Sequence, residues 1–135
     1  MTWPSHVHHR LAQSWFAGRG SEPWATTLLT ELGFLRLSCN PKVVGRPVLF
    51  AEAARLLRRI RLLPGHIFLD DTSTLLEPVV DLDRLVTSRQ VTDLHLVNLS
   101  ATAGAVLVTL DRTIPSYLAP ADRRHVHVID ETSVR

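Results

Sequence analysis

The chain has a single cysteine, Cys39, so no internal disulfide can form, and a reducing cytoplasm is the compartment that reading expects. No apolar run approaches the ~18 residues that span a bilayer, so no membrane partner is expected. No charged stretch followed by an apolar run opens the sequence, so no secretory leader is expected either. Charge of one sign is also scarce: 15 Lys+Arg against 13 Asp+Glu leave only +2. That balance permits an anionic partner without demanding one. There is no internal repeat, no low-complexity linker and no HExxH zinc motif. No acidic residue occurs before Glu22.

What is present suits a folded domain. The 135 residues are 45% hydrophobic and 21% charged, enough apolar side chain to build a core. One domain over residues 1–135 is expected, with 131–135 as a polar, disordered tail. Ser5 is placed to cap a first helix with Val7, Leu11, Ala12, Trp15 and Phe16 on its inner side. Trp24 to Thr26 reads as a short strand, and TLLTELGFLRL as a helix with Leu28, Leu32 and Leu35 on one stripe. Pro47 starts another helix, where its missing N–H costs nothing. Ala53, Leu56, Leu57, Ile60 and Leu63 form its inner face, and Arg55, Arg58, Arg59 and Arg61 lie mostly outside it. HIFLDD reads as strand then turn, VVDLDRLV as a short helix, and DLHLVNLSATA as a helix capped by Thr92 and stopped by Gly104. AVLVTL (Ala105 to Leu110) reads as a strand buried on both faces, which implies a parallel sheet. HVHVI (His125 to Ile129) is the last strand, with His125 and His127 facing out. Strands alternating with helices give an α/β fold, a parallel sheet flanked by helices.

In such sheets ligands bind at the carboxyl ends of the strands, and three acids stand there. Glu31 falls in the first turn of the helix after the Trp24 strand. Asp93 opens the helix after Arg89, and Asp111 follows AVLVTL directly. All three are set among apolar residues, where a carboxylate needs a partner. A divalent cation is one: clustered carboxylates suit Mg²⁺ or Mn²⁺, which acidify a bound water. Each acid also has a plainer reading. Asp93 fits as a charge at a helix N-terminus, Asp111–Arg112 as a turn, and Glu31 as the partner of Arg36.

The segments WATTLLTELGFLRL, HIFLDD and RQVTDLHLVNLSATAGAVLVTLD resemble the PIN-domain ribonuclease toxins of the VapC type. The resemblance runs from about His6 to Ile129. It implies a parallel sheet flanked by helices and a Mg²⁺- or Mn²⁺-dependent endoribonuclease that hydrolyses RNA phosphodiesters. It also implies a homodimer held inactive by a VapB-type antitoxin. Glu31, Asp93 and Asp111 fall on three of the family's acidic positions and are expected to be both catalytic and metal-binding. Arg89 and Arg112, next to the acids, are expected to contact RNA phosphate.

The sequence departs from that pattern at its start. The family opens on a central apolar strand of the type hhhDxNhhh, where h is apolar and the Asp is a metal ligand. Here only Met1, Thr2 and Trp3 precede Pro4. The expectation is a PIN-like domain lacking its central first strand. About four buried apolar side chains, at about 1.5–3 kcal/mol each, rival the ~5–15 kcal/mol stability of a domain. Little or no Mg²⁺-dependent RNA cleavage by the chain as it stands is the matching functional expectation. The alternative is a catalytically inactive antitoxin-binding protein or decayed toxin, and a phosphatase using the same acids is a third reading. His6, His8 and His9 read as the polar side of the first helix rather than a zinc site, which needs three or four ligands.

Overall fold

The computed structural model describes residues 9–84 and 87–130. The Ser5 cap, His6, His8, any strand ahead of Pro4 and the tail from 131 to 135 lie outside them. The elements are α1 (His9–Gly18), β1 (Trp24–Thr27), α2 (Leu28–Ser38), α3 (Pro41–Val44), α4 (Phe50–Arg61), β2 (His66–Leu69), α5 (Val91–Thr102), β3 (Leu107–Thr109) and β4 (Val126–Val128). Both strand pairs are parallel, so the α/β class and the parallel pairing are as expected. The backbone clusters into two compact units, one running through Asp71 and the other starting at Thr72.

In the first unit β1 pairs with β2 in the register Trp24↔His66 to Thr27↔Leu69. Parallel strands need a long crossover, which α2, α3 and α4 supply. The return into β2 turns on Gly65, whose φ is +77° and where a Cβ would stand 3.0 Å from the Glu22 carbonyl oxygen. A side chain is barred there on both counts, and the Gly65 carbonyl accepts the Trp24 N–H at 2.9 Å. A core of Val44, Val48 and Ala53 packs with Leu35, Cys39 and Val43.

Helix α2 starts on a reciprocal cap: Thr27 Oγ1 accepts the Thr30 N–H, and Thr30 Oγ1 accepts the Thr27 N–H. The cap fixes the helix phase, and that phase buries Glu31 and Ser38. The expected Leu28–Leu32–Leu35 stripe is therefore not the inner face, since Leu28 and Leu32 are both more than half exposed. Thr27→Ala is expected to cost about 1 kcal/mol, read as a lower thermal midpoint.

Helix α4 begins at Phe50 rather than at Pro47. Val48 is buried and Leu49 is extended, so the chain reaches into the core before it coils. An Arg46–Glu52 ion pair at 2.6 Å straddles that entry. As expected, the α4 arginines Arg55, Arg58, Arg59 and Arg61 are exposed.

In the second unit β3 and β4 pair from Leu107↔Val126 to Thr109↔Val128. The core is Val80, Leu94, Val97, Ile114, Tyr117 and Leu118. The AVLVTL run is not a strand buried on both faces. Only Leu107–Thr109 is strand, and Val106 and Val108 are exposed. The run is short of partners because only β4 lies beside it among the described residues. The last strand shortens likewise, to Val126–Val128, with His125 in a 3-10 turn and His127 exposed.

Residues 79–84 of VVDLDRLV form no helix. Asn98 Oδ1 accepts the Val79 N–H at 2.8 Å, and Asp122 Oδ2 accepts the Asp81 N–H at 2.9 Å. Side-chain acceptors from elsewhere thus hold the backbone donors, leaving an irregular path of bends and turns that buries Val80. Thr92 is not a cap. Thr87 and Gln90 form a capping box on the 3-10 turn Ser88–Gln90, which runs straight into α5.

Candidate active site

Two places in the fold carry the expected acids. In the first unit, alternate residues of paired strands share a face, so Trp24, Thr26, His66 and Phe68 lie on one side of the β1–β2 ribbon. The first turn of α2 brings Glu31 to Thr26 on that side. Thr26 Oγ1 donates to Glu31 Oε1 at 2.6 Å, and Thr26 Oγ1 lies 2.8 Å from His66 Nε2. Arg61 Nε stands 3.6 Å from the same Glu31 oxygen, and its guanidinium lies over the Phe68 ring, 4.9 Å from the centroid. The partner of Glu31 is thus Arg61, not Arg36. Arg36 lies five residues past Glu31 on α2, outside the three- and four-residue spacings that bring helical side chains together, whereas Arg61 at the end of α4 reaches Glu31 and lies over Phe68 of β2.

Glu31 is 9% exposed, a depth at which an ionised carboxylate needs this hydrogen bond and this cation. Trp24 closes the ribbon's end, with its ring edge-on to His66 at 4.7 Å and to Phe16 at 4.9 Å. Burial holds the His66 imidazole below its ordinary value, and Arg61 adds to this while Glu31 opposes it. His66 is therefore neutral at pH 7.

In the second unit, Asp93 is in the first turn of α5, half-buried, and Asp111 lies two residues past the end of β3, exposed. Tyr117 Oη donates to Asp93 Oδ2 at 3.2 Å. Asp111 Oδ1 accepts from Thr113 twice, from its N–H at 2.8 Å and its hydroxyl at 2.7 Å. Burial raises the Asp93 carboxyl above its ordinary value, the Asp111 charge raises it further, and the Tyr117 hydrogen bond opposes both. The same surroundings push the Tyr117 phenol far up: burial first, then the charge and hydrogen bond of Asp93 and the charge of Asp111. Tyr117 is thus a fixed donor at any working pH.

A half-buried carboxylate that feels a second carboxylate's charge is a place where a cation relieves repulsion. Mg²⁺ is commonly held by one or two carboxylates, with water and phosphate oxygens completing its shell. The Asp93–Asp111 pair meets that donor requirement. Among the described residues no group of three or more His, Cys, Asp or Glu side chains is gathered closely enough to hold a metal. Arg89 and Arg112 are exposed.

Four polar partners were not legible beforehand. Tyr117, Thr26, His66 and Arg61 each reach an acid from a distant part of the chain, and no local pattern announces them. Thr113 had a local signal: an acceptor two residues ahead of an N–H is the spacing of an Asx turn.

No family model matches the chain. Ribonuclease VapC38 of Mycobacterium tuberculosis is 43% identical over 111 residues, which is 82% of this chain and 77% of that protein. Ribonuclease VapC39 of the same species is 41% identical over 113 residues, 83% of this chain and 81% of that protein. Ribonuclease VapC44, also of that species, is 32% identical over 123 residues, 90% and 86% of the two chains. The aligned stretch is too long to leave out all of α2, α5 and β3, the elements that carry or adjoin the acids. With identity of this extent, the chain belongs to the VapC ribonuclease family.

Proposed function

We propose that this protein is the Mg²⁺-dependent endoribonuclease toxin of a VapBC-type toxin–antitoxin pair, on a PIN-like fold, with Glu31, Asp93 and Asp111 as its metal-binding and catalytic carboxylates. The observation that carries the reading is the half-buried Asp93 carboxylate, held by Tyr117 Oη at 3.2 Å and pushed up by burial and by the charge of Asp111. When bound there, Mg²⁺ or Mn²⁺ supplies charge neutralisation and a water acidic enough to attack phosphorus at neutral pH.

The chain's own residues do the positioning. Tyr117 holds the Oδ2 oxygen of Asp93. Thr113 fixes Asp111 Oδ1 and with it the plane of the carboxylate. Arg89 and Arg112 present guanidinium groups suited to bidentate contact with RNA phosphates. On the first unit, Leu28 and Leu32 of α2 and Leu49 and Phe50 at the start of α4 are large apolar side chains more than half exposed. Residues of this kind suit an antitoxin helix or a second copy of the chain, in keeping with the expected VapB-type partner and homodimer. Among the described residues no helix is long and apolar enough to cross a membrane.

RNA cleavage is the deciding experiment. RNA cleavage by the purified protein, at whatever rate, is expected to require Mg²⁺ or Mn²⁺, to stop on chelation and resume on metal return. Asp111→Asn should lower the rate by at least about 100-fold, beyond the 10–100-fold typical of residues that merely support a metal ligand. Cleavage indifferent to chelator, or to Asp111→Asn, would refute the assignment. Hydrolysis of small phosphate esters without RNA cleavage would point to the phosphatase reading instead.

A further inference from the structure

Glu31, Thr26 and His66 form a hydrogen-bonded chain whose direction is set by proton inventory. A hydroxyl has one proton and two lone pairs. In the 2.6 Å contact the Thr26 proton is spent on Glu31 Oε1. Thr26 Oγ1 can then only accept from His66 Nε2 at 2.8 Å. His66 must carry its proton on Nε2. The order runs one way: imidazole N–H to threonine hydroxyl to carboxylate.

Each link is held by the fold. Thr26 and His66 are brought to one face by the β1–β2 register. The His66 ring is pinned edge-on by Trp24. Both the Thr26 bond and the Arg61 contact fall on Oε1 of Glu31, so the carboxylate is held from the side of the β1–β2 ribbon.

We propose that Thr26 and His66 are positioning residues for Glu31, orienting its carboxylate toward a divalent cation. This rests on the reading of Glu31 as a metal ligand given above. The two residues touch neither RNA nor metal; they act through the Glu31 oxygen they hold. Outer partners of metal ligands act in this way and typically account for 10–100-fold in metal affinity.

The full chain tests this with Mn²⁺ as the probe, its affinity read from the spin-resonance signal of the free ion. Thr26→Val, which keeps the shape and deletes the hydroxyl, is expected to weaken Mn²⁺ binding about 10–100-fold. Thr26→Ser should restore it to within a few-fold, since the hydroxyl returns. Glu31→Gln should weaken binding at least as much, and Thr26→Val on top of Glu31→Gln should add little. A second readout needs no variant: at pH 8, the ¹⁵N shifts of the His66 ring should report the Nε2–H tautomer. The Nδ1–H tautomer there would overturn the proposal even if Thr26→Val does not fold. Weak binding in Glu31→Gln with unchanged binding in Thr26→Val overturns the positioning role alone. Unchanged binding in Glu31→Gln removes Glu31 from the metal site, and the positioning role falls with it.

Discussion

Asp93→Asn is expected to lower RNA cleavage by at least about 100-fold while raising the thermal midpoint of the metal-free protein. The two effects have one cause. Asp93 is half-buried, and its charge faces that of Asp111. The apo protein therefore carries a cost in order to keep a site that a cation will fill. Asparagine keeps the shape and can still accept the Tyr117 hydrogen bond, but has no charge to bury or repel. The sign follows from linkage. The folded-state value of Asp93 lies above its ordinary 3.8, so the group's contribution to stability is full below that value and is lost as pH rises through the raised one. The advantage of Asp93→Asn should accordingly be largest near neutral pH and shrink toward zero in acid, where aspartic acid is itself neutral. Mg²⁺ should reverse the ranking. A cation at 100 times its Kd stabilises by about 2.7 kcal/mol, a gain the wild-type protein can take and the variant largely cannot. Melting curves in chelator and in Mg²⁺, at pH 4 and pH 7.5, check all of this. A variant that melts lower than wild type in chelator at pH 7.5 would show that Asp93 is paired rather than strained.

The sequence made some of this legible and hid the rest for identifiable reasons. Helices α2 and α5 and the strand pairs could be placed because Gly and Pro punctuate them locally: Asn40–Pro41 interrupts, and Gly104 ends. The acids could be singled out because a carboxylate amid LLTELGF or LVTLDRT has to be explained. The hydrogen bonds of the acids could not be, apart from the Asp111–Thr113 turn. Thr26 meets His66 across 40 residues only because β1 and β2 pair in one register, and Tyr117 meets Asp93 across 24 residues through the packing of a core. Apolar runs misled where exposure decides. AVLVTL reads as a doubly buried strand, yet Val106 and Val108 face outward. VVDLDRLV has a helical pattern, but the donors of Val79 and Asp81 are claimed by side chains 19 and 41 residues away. Local propensity yields wherever a distant acceptor satisfies the backbone first.

Asn98 is the residue on which that last arrangement depends, and Asn98→Ala is expected to be the most destabilising of the substitutions considered. Its side chain is fully buried. Oδ1 takes the Val79 N–H at 2.8 Å, and Nδ2 reaches the Thr74 carbonyl at 3.4 Å. One amide thus ties two points of an irregular segment to the middle of α5. Truncation to alanine strands those backbone groups, at about 1–3 kcal/mol for an unmet buried partner, and leaves a hollow beside Val97 and Leu99. A total of about 2–4 kcal/mol is expected, a large share of the ~5–15 kcal/mol that holds a domain. Asn98→Leu separates the two contributions. It fills the hollow but cannot accept the Val79 N–H, so it should remain close to alanine if the hydrogen bond dominates. Loss of the bond should also speed hydrogen exchange at the Val79 amide in both variants. The effect reaches the site because Val80, the next residue, packs against Leu94 and Val97, on the same helix that carries Asp93. Asn98→Ala should therefore lower RNA cleavage several-fold even where it is still folded. Urea denaturation of the two variants decides between packing and hydrogen bonding: a leucine variant as stable as wild type would show that volume, not the amide, is what α5 needs at this position.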